Sequence, residues 1–161
     1  MLYFLLLAVV TPLVVLGLLS SLARRPENLG VHHGRLAACP ESPNCVSSQA
    51  DTPQHSMEPI HFTGSGAAAI GQLRSILEEQ PRSAIITADR NYMHAEFTSR
   101  IFRFVDDVEF FVDDSQQVIH FRSASRAGYS DLGANRQRME LIRALFEQKG
   151  ARSTSDQRTG H

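Results

Sequence analysis

From Leu2 to Leu19 the chain carries no charged side chain and is mostly Leu, Val and Ala, and this run limits its options more than any other feature. A helix of that length rises about 1.5 Å per residue and comes close to the roughly 30 Å of a bilayer's hydrocarbon core. The run is therefore a membrane segment or an export signal. The apolar part of a cleaved signal is usually about 7 to 15 residues behind a positive n-region. Here the run is longer and only the terminal amine precedes it, so the expectation is an uncleaved transmembrane anchor over residues 1–23. Cleavage after Ser21-Leu22-Ala23 is the alternative. Pro12 and Gly17 are tolerated in such spans. The string LAAC, ending at Cys39, is not a lipidation signal, because RRPENLGVHHGR separates it from the apolar run.

Both cysteines lie in CPESPNCVSS, as Cys39 and Cys45. A proline-bent stretch this short can bring two Cα atoms to the roughly 4.4–6.8 Å that a disulfide needs, and such bonds persist in oxidising compartments. Structural zinc usually has its paired ligands about two to four residues apart, so Cys-x5-Cys does not read as a zinc site even with His32, His33, His55 and His61 in the region. A thiol-exchange motif would have two intervening residues. No metal and no cofactor is expected. The disulfide favours a single-pass protein of the inner membrane with its domain on the extracytoplasmic side. Arg24 and Arg25, just after the span, favour the cytoplasmic side as the alternative.

Net charge is −1 with acids and bases interspersed, and the chain has one lysine and no tryptophan. Nucleic acid is not an expected partner, because a binder would show a basic face or stacking aromatics among its cations.

Residues 24–59, rich in Pro, Gly, Ser and His, have no sustained period and read as an irregular strap pinned by the cysteines. Residues 60–150 form the main domain. In TGSGAAAIGQLRSILEEQP, Ser65 caps a helix, Ile70, Leu73, Ile76 and Leu77 share one face, and Pro81 stops it. SAIITAD fits a buried strand, NYMHAEFTS alternates, RIFRFVDDVEFFVDD continues with an acidic interruption at Asp106-Asp107, and QQVIHFRSAS closes the sheet. A final helix from about Gly133 turns Met139, Ile142, Leu145 and Phe146 inward and ends at Gly150. Residues 151–161 are polar and expected to be disordered. The fold class is α+β: an antiparallel sheet of about four strands with two helices packed on one face.

Three blocks, CPESPNCVSSQA, YMHAEFTSRIFRFVDDVEF and SASRAGYSDLGANRQR, together resemble the family called domain of unknown function 1499, in the same order over roughly residues 29 to 146. The resemblance implies a small membrane-associated or exported bacterial domain, with related chloroplast proteins, that includes the cysteine block. It brings no activity and no catalytic residues.

Two constellations carry candidate chemistry. In RSASRAGYSDLGANR, Arg122, Arg126 and Arg138 just beyond supply charge, and Ser123, Ser125 and Tyr129 supply hydroxyls. Free amides at a helix start add partial positive charge, which together suits a phosphate, sulfate or carboxylate. The competing reading is that Asp131 caps the helix and fills that position itself. The second constellation is a sheet face. Alternation that sends Met93, Ala95 and Phe97 to the core puts Tyr92, His94, Glu96 and Thr98 opposite, with His120 and Arg122 on a neighbouring strand. Such a face could hold a general acid and base, or be an ordinary solvated face with cross-strand ion pairs. The acids of RFVDDVEFFVDD read as strand-end turns that keep the sheet soluble, since no glycine turn supports a calcium loop. No glycine-flanked serine, Walker pattern or dinucleotide fingerprint is present.

The expected function is a non-enzymatic, membrane-tethered binding or assembly module that presents the Arg122–Arg138 loop to an anionic ligand, a lipid headgroup or a protein partner. The alternative is an envelope hydrolase using His94 and Glu96, with His120, on the polar sheet face.

Overall fold

The computed structural model describes residue 11 and residues 23–159, with side chains as far as residue 151. The expected membrane segment, residues 2–19, lies outside the described residues but for residue 11; among the described residues no helix is long and apolar enough to cross a membrane. Strands β1 (Cys45–Ser47) and β2 (Ile60–His61) lead to helix α1 (Gly66–Glu78). Four longer strands follow: β3 (Ser83–Ala88), β4 (Tyr92–Thr98), β5 (Val105–Asp113) and β6 (Val118–Ser125), then helix α2 (Ala134–Thr159). All pairings are antiparallel, in the order β1-β6-β5-β4-β3, with β2 beside β1 on the free edge of β6.

The α+β expectation with two helices holds, but the sheet has six strands, not four. The two extra strands are three and two residues long, too short for a period of two to be read. β3 is an edge strand rather than a buried one, and Ile86 is 38% exposed. Asp106 and Asp107 are not at a strand end: they lie inside β5, opposite Phe97 and Glu96. Only Asp113 and Asp114 stand at a turn. The last helix does not stop at Gly150 but runs on to Thr159, covering most of the tail expected to be disordered. Gly150 is absent from the positive-φ glycines, so it takes no left-handed cap there, and no proline follows to break the helix.

α1 starts where Ser65 Oγ accepts the Ala68 amide at 3.2 Å and ends before Pro81. Its Leu73, Ile76 and Leu77 meet Met139, Ile142 and Phe146 of α2 over Met93, Phe110 and Phe121 of the sheet. Burial of each such side chain stabilises by roughly 1.5–3 kcal/mol. Both helices therefore cover one face of the sheet. The other face is covered as well, by the start of the strap: the Gly30 amide donates to Glu109 Oε1 at 2.7 Å, and Arg25 Nε donates to Glu96 Oε1 at 2.9 Å. Cys39 and Cys45 are joined in a disulfide with Cα atoms 5.6 Å apart.

Candidate functional site: a buried charge network beneath the strap

Strand alternation sends His94 and Glu96 of β4, Asp107 and Glu109 of β5, and Arg122 of β6 toward the strap, and the ladder sets Glu96 beside Asp107 and Glu109 beside Arg122. Arg126, just past β6, reaches back over this face. Its Nε donates to Asp107 Oδ2 and its Nη2 to Asp107 Oδ1, both at 2.7 Å, and Nη2 also donates to Glu96 Oε1. The two-point grip on Asp107 is the planar fork geometry that suits guanidinium to carboxylate. His94 Nε2 lies 2.8 Å from Asp107 Oδ1. Arg25, from the start of the strap, donates to Glu96 Oε1 from Nε at 2.9 Å and Nη2 at 2.6 Å.

A second group surrounds Glu109. Its Oε1 accepts from the Tyr92 hydroxyl at 2.9 Å and from the Gly30 amide, and its Oε2 faces Arg122 Nη1 at 3.4 Å. Arg122 is 6% exposed, and its Nε has no hydrogen-bond partner among the described residues. Three guanidinium groups thus face three carboxylates.

Burial works to raise the Asp107 carboxyl, but the hydrogen bonds and charges of Arg126 and His94 outweigh it and hold it below the usual carboxylate range. Glu96 is held down in the same way, with burial opposed by Arg126 and Arg25. Burial and then the Glu109 charge push the Tyr92 phenol far above its ordinary value, and Arg126 is held protonated chiefly by its hydrogen bonds to Asp107. His94, Glu96 and Asp107 offer ligand atoms within 4.8 Å of one another. A metal ion there would stand against the Arg126 guanidinium already bridging Glu96 and Asp107, so the donor set does not fit one.

Residues 35–146 match the family described as "Protein of unknown function (DUF1499)". The chain belongs to the DUF1499 family. No curated protein and no solved structure matches it. The match takes in the disulfide, the whole sheet, and Arg126 with its carboxylates, whereas Arg25 and Gly30 lie upstream of it.

Within the DUF1499 domain the expected anion loop is divided between two faces. Arg122 and Arg126 turn to the strap. Arg138 turns to the helix side, where Nη2 donates to Asp106 Oδ2 at 2.6 Å, Nη1 to Asn135 Oδ1 at 2.6 Å, and the guanidinium lies 4.7 Å from the Phe97 ring centre. Ser123 donates to Asn135 Oδ1, and Ser125 accepts from Asn135 Nδ2. Tyr129 is exposed. Asp131 accepts the Gly133 amide at 3.0 Å and the Asn135 amide at 2.8 Å, so the helix start is occupied by the chain's own carboxylate.

The polar sheet face does bring His94 and Glu96 together, but it is buried rather than wet. His120 lies apart from them, two strands from β4, with its Nδ1 3.3 Å from Ser48 Oγ and its ring stacked on Phe111. Burial lowers its basicity, Asp113 opposes that, and Arg35 adds to it. Sequence reasoning assigned Asp107 and Glu109 to solvated strand-end turns, although their i, i+2 spacing matches that of His94 and Glu96. For Arg25 no local signal existed.

Proposed function

We propose that this DUF1499 protein is a non-enzymatic, membrane-tethered binding or assembly module on the extracytoplasmic side of an inner membrane. The observation that carries the reading is the grip on Arg25: the chain is ion-paired to Glu96 only six positions after the apolar run ends at Leu19. A domain seized that close to an apolar segment suits short-range tethering. The disulfide supports an oxidising compartment. The non-enzymatic reading is supported by His94, Glu96 and Asp107 being committed to one another and to Arg126 beneath the strap. Because Arg122, Arg126 and Arg138 each face a carboxylate, partner contacts fall to the exposed stretch around Tyr129 and not to those guanidinium groups.

Fractionation of cells making the full chain tests this. The protein should stay in the membrane pellet through an alkaline carbonate wash, and its cysteines should take up a thiol label only after reduction. Release by carbonate would overturn the tether, and labelling without reductant would overturn the outside placement.

One observation favours a hydrolase, though at a site other than His94 and Glu96. Ser48 Oγ and His120 Nδ1 meet at a cavity of about 370 Å³ that Arg35, Gln49 and Asp51 also line, and the histidine ring could take the serine proton. Under that reading the purified chain would cleave nitrophenyl acetate and lose the activity in Ser48→Ala; no turnover by the unaltered protein would end it.

A further inference from the structure

We propose that one end of the sheet is a bilayer seat, with the tips of the loops at 99–104 and 126–133 lying in the headgroup layer of an anionic membrane. This rests on the tethered reading and adds to it the surface that faces lipid. Thr98 pairs with Val105, Asp106 with Ser125, and the Arg126 amide donates to the Val105 carbonyl at 3.0 Å, so both loops leave the sheet at the same end. Their tips hold the three most exposed large apolar side chains among the described residues: Leu132 at 91%, Ile101 at 79% and Tyr129 at 77%. Leu132 also has φ 54°, a left-handed conformation rare for a side chain of its size.

Cations lie at this end of the sheet, two of them within the 99–104 loop. Arg24, Arg100 and Arg103 are exposed, and so is Arg82, whose carbonyl accepts the Thr98 amide and which therefore stands at the same end. Asp89, Asp113 and Asp114 lie at the other end, beside an exposed Arg90, whereas the one acid in these loops, Asp131, is bonded to the Gly133 and Asn135 amides. Aliphatic tips, a tyrosine and a fringe of arginine are the composition that an anionic lipid–water interface selects.

The chain path sets the distance. Arg25 is fixed on Glu96, two residues from the Thr98 end of β4, and Leu19 is six positions earlier. Six extended residues span at most about 20 Å. With the apolar run in lipid, the domain cannot stand off, and the end nearest Glu96 is the one that meets the headgroups. A protein partner would need no such coincidence of apolar tips, cations and chain entry.

The chain has no tryptophan, so a single introduced indole reports depth. Leu132→Trp and, at the opposite end, Gln116→Trp would each be placed in the full chain and reconstituted into anionic vesicles whose acyl chains carry bromine near the headgroup. The indole of Leu132→Trp should be blue-shifted and quenched about twofold or more, as expected of an aromatic at the interface, while that of Gln116→Trp stays unquenched. In wholly zwitterionic vesicles the quenching should fall, and equal quenching in both would overturn the role of the arginines. Flotation of the same samples separates the two readings. A chain that floats with Leu132→Trp unquenched overturns the seat and leaves the tether standing, whereas a chain that does not float overturns both.

Discussion

Asp107 takes both arms of Arg126 and one ring nitrogen of His94 with 1% of its side chain exposed, and Glu96 depends on the same guanidinium. Removing Arg126 leaves the buried Asp107 without its guanidinium, while Glu96 keeps Arg25. Arg126→Met should therefore cost on the order of 3–5 kcal/mol in urea unfolding, the range for stranding one member of a buried ion pair. Arg122→Met should cost clearly less, because Glu109 keeps the Tyr92 hydroxyl and the Gly30 amide while the substitution also removes an unsatisfied Nε. Equal losses in the two variants would mean that the network is not organised around Arg126. The acid response follows from the same pair. Asp107 and Glu96 titrate lower in the folded state, so their contribution is complete above the unfolded value of about 4 and is lost as pH falls through the lower folded values. Melting temperature should hold from pH 7 to about 5 and drop steeply below about 4. In Arg126→Met the sign should invert for Asp107: a buried carboxylate without its guanidinium titrates higher than in the unfolded chain, so acidification toward pH 5 should recover stability, while Glu96 keeps Arg25.

At the scale of elements, what could be read locally was read well. Ser65, the apolar face of α1 and the inward set of α2 declare themselves within a few turns, because a period of 3.6 needs only near neighbours. Gly150 did not, since a glycine near a helix end looks the same whether it caps the helix or lies within it. Here it lies one residue after Lys149, whose Nζ donates to Ser75 Oγ and Glu79 Oε1 and ties α2 to α1. Gly150→Ala should thus stabilise the domain by up to about 1 kcal/mol, whereas an alanine at a true left-handed cap would destabilise it. A Cβ there would come no closer than 3.9 Å to Gln72, so thermal melting reads the backbone effect directly. The disulfide closes a short loop next to β1, and the chain-entropy relation assigns such a loop about 2 kcal/mol. The double variant Cys39→Ser, Cys45→Ser should fold and lose about that much; complete unfolding would show that the bond also holds β1 in the sheet.

At the scale of the molecule there are three layers: strap, sheet and helices. Alternation in β4 by itself puts His94 and Glu96 on a common face, yet whether that face is wet depends on residues 24–35, about 70 positions away and without a period of their own. The burial of Asp106 and Asp107 was illegible for the same reason. Two adjacent acids inside a strand look like a solvated turn until Arg138 and Arg126 arrive from outside it. The strap's attachment can be checked amide by amide. By hydrogen exchange on the full chain, Gly30, bonded to the fully buried Glu109, should be protected to a degree comparable with Phe121, and exchange as fast as at exposed Asn28 would mean the strap lifts off.

The two neighbouring aspartates of β5 also decide how the domain would bear a load. A pull on the leading end of the chain enters at Arg25, passes through Glu96 and Arg126 to Asp107, and one peptide further on reaches Asp106 and, through Arg138, the long helix. Tension applied from that side is shared at once by the middle of the sheet and the layer behind it, and the cysteine loop bears it only later.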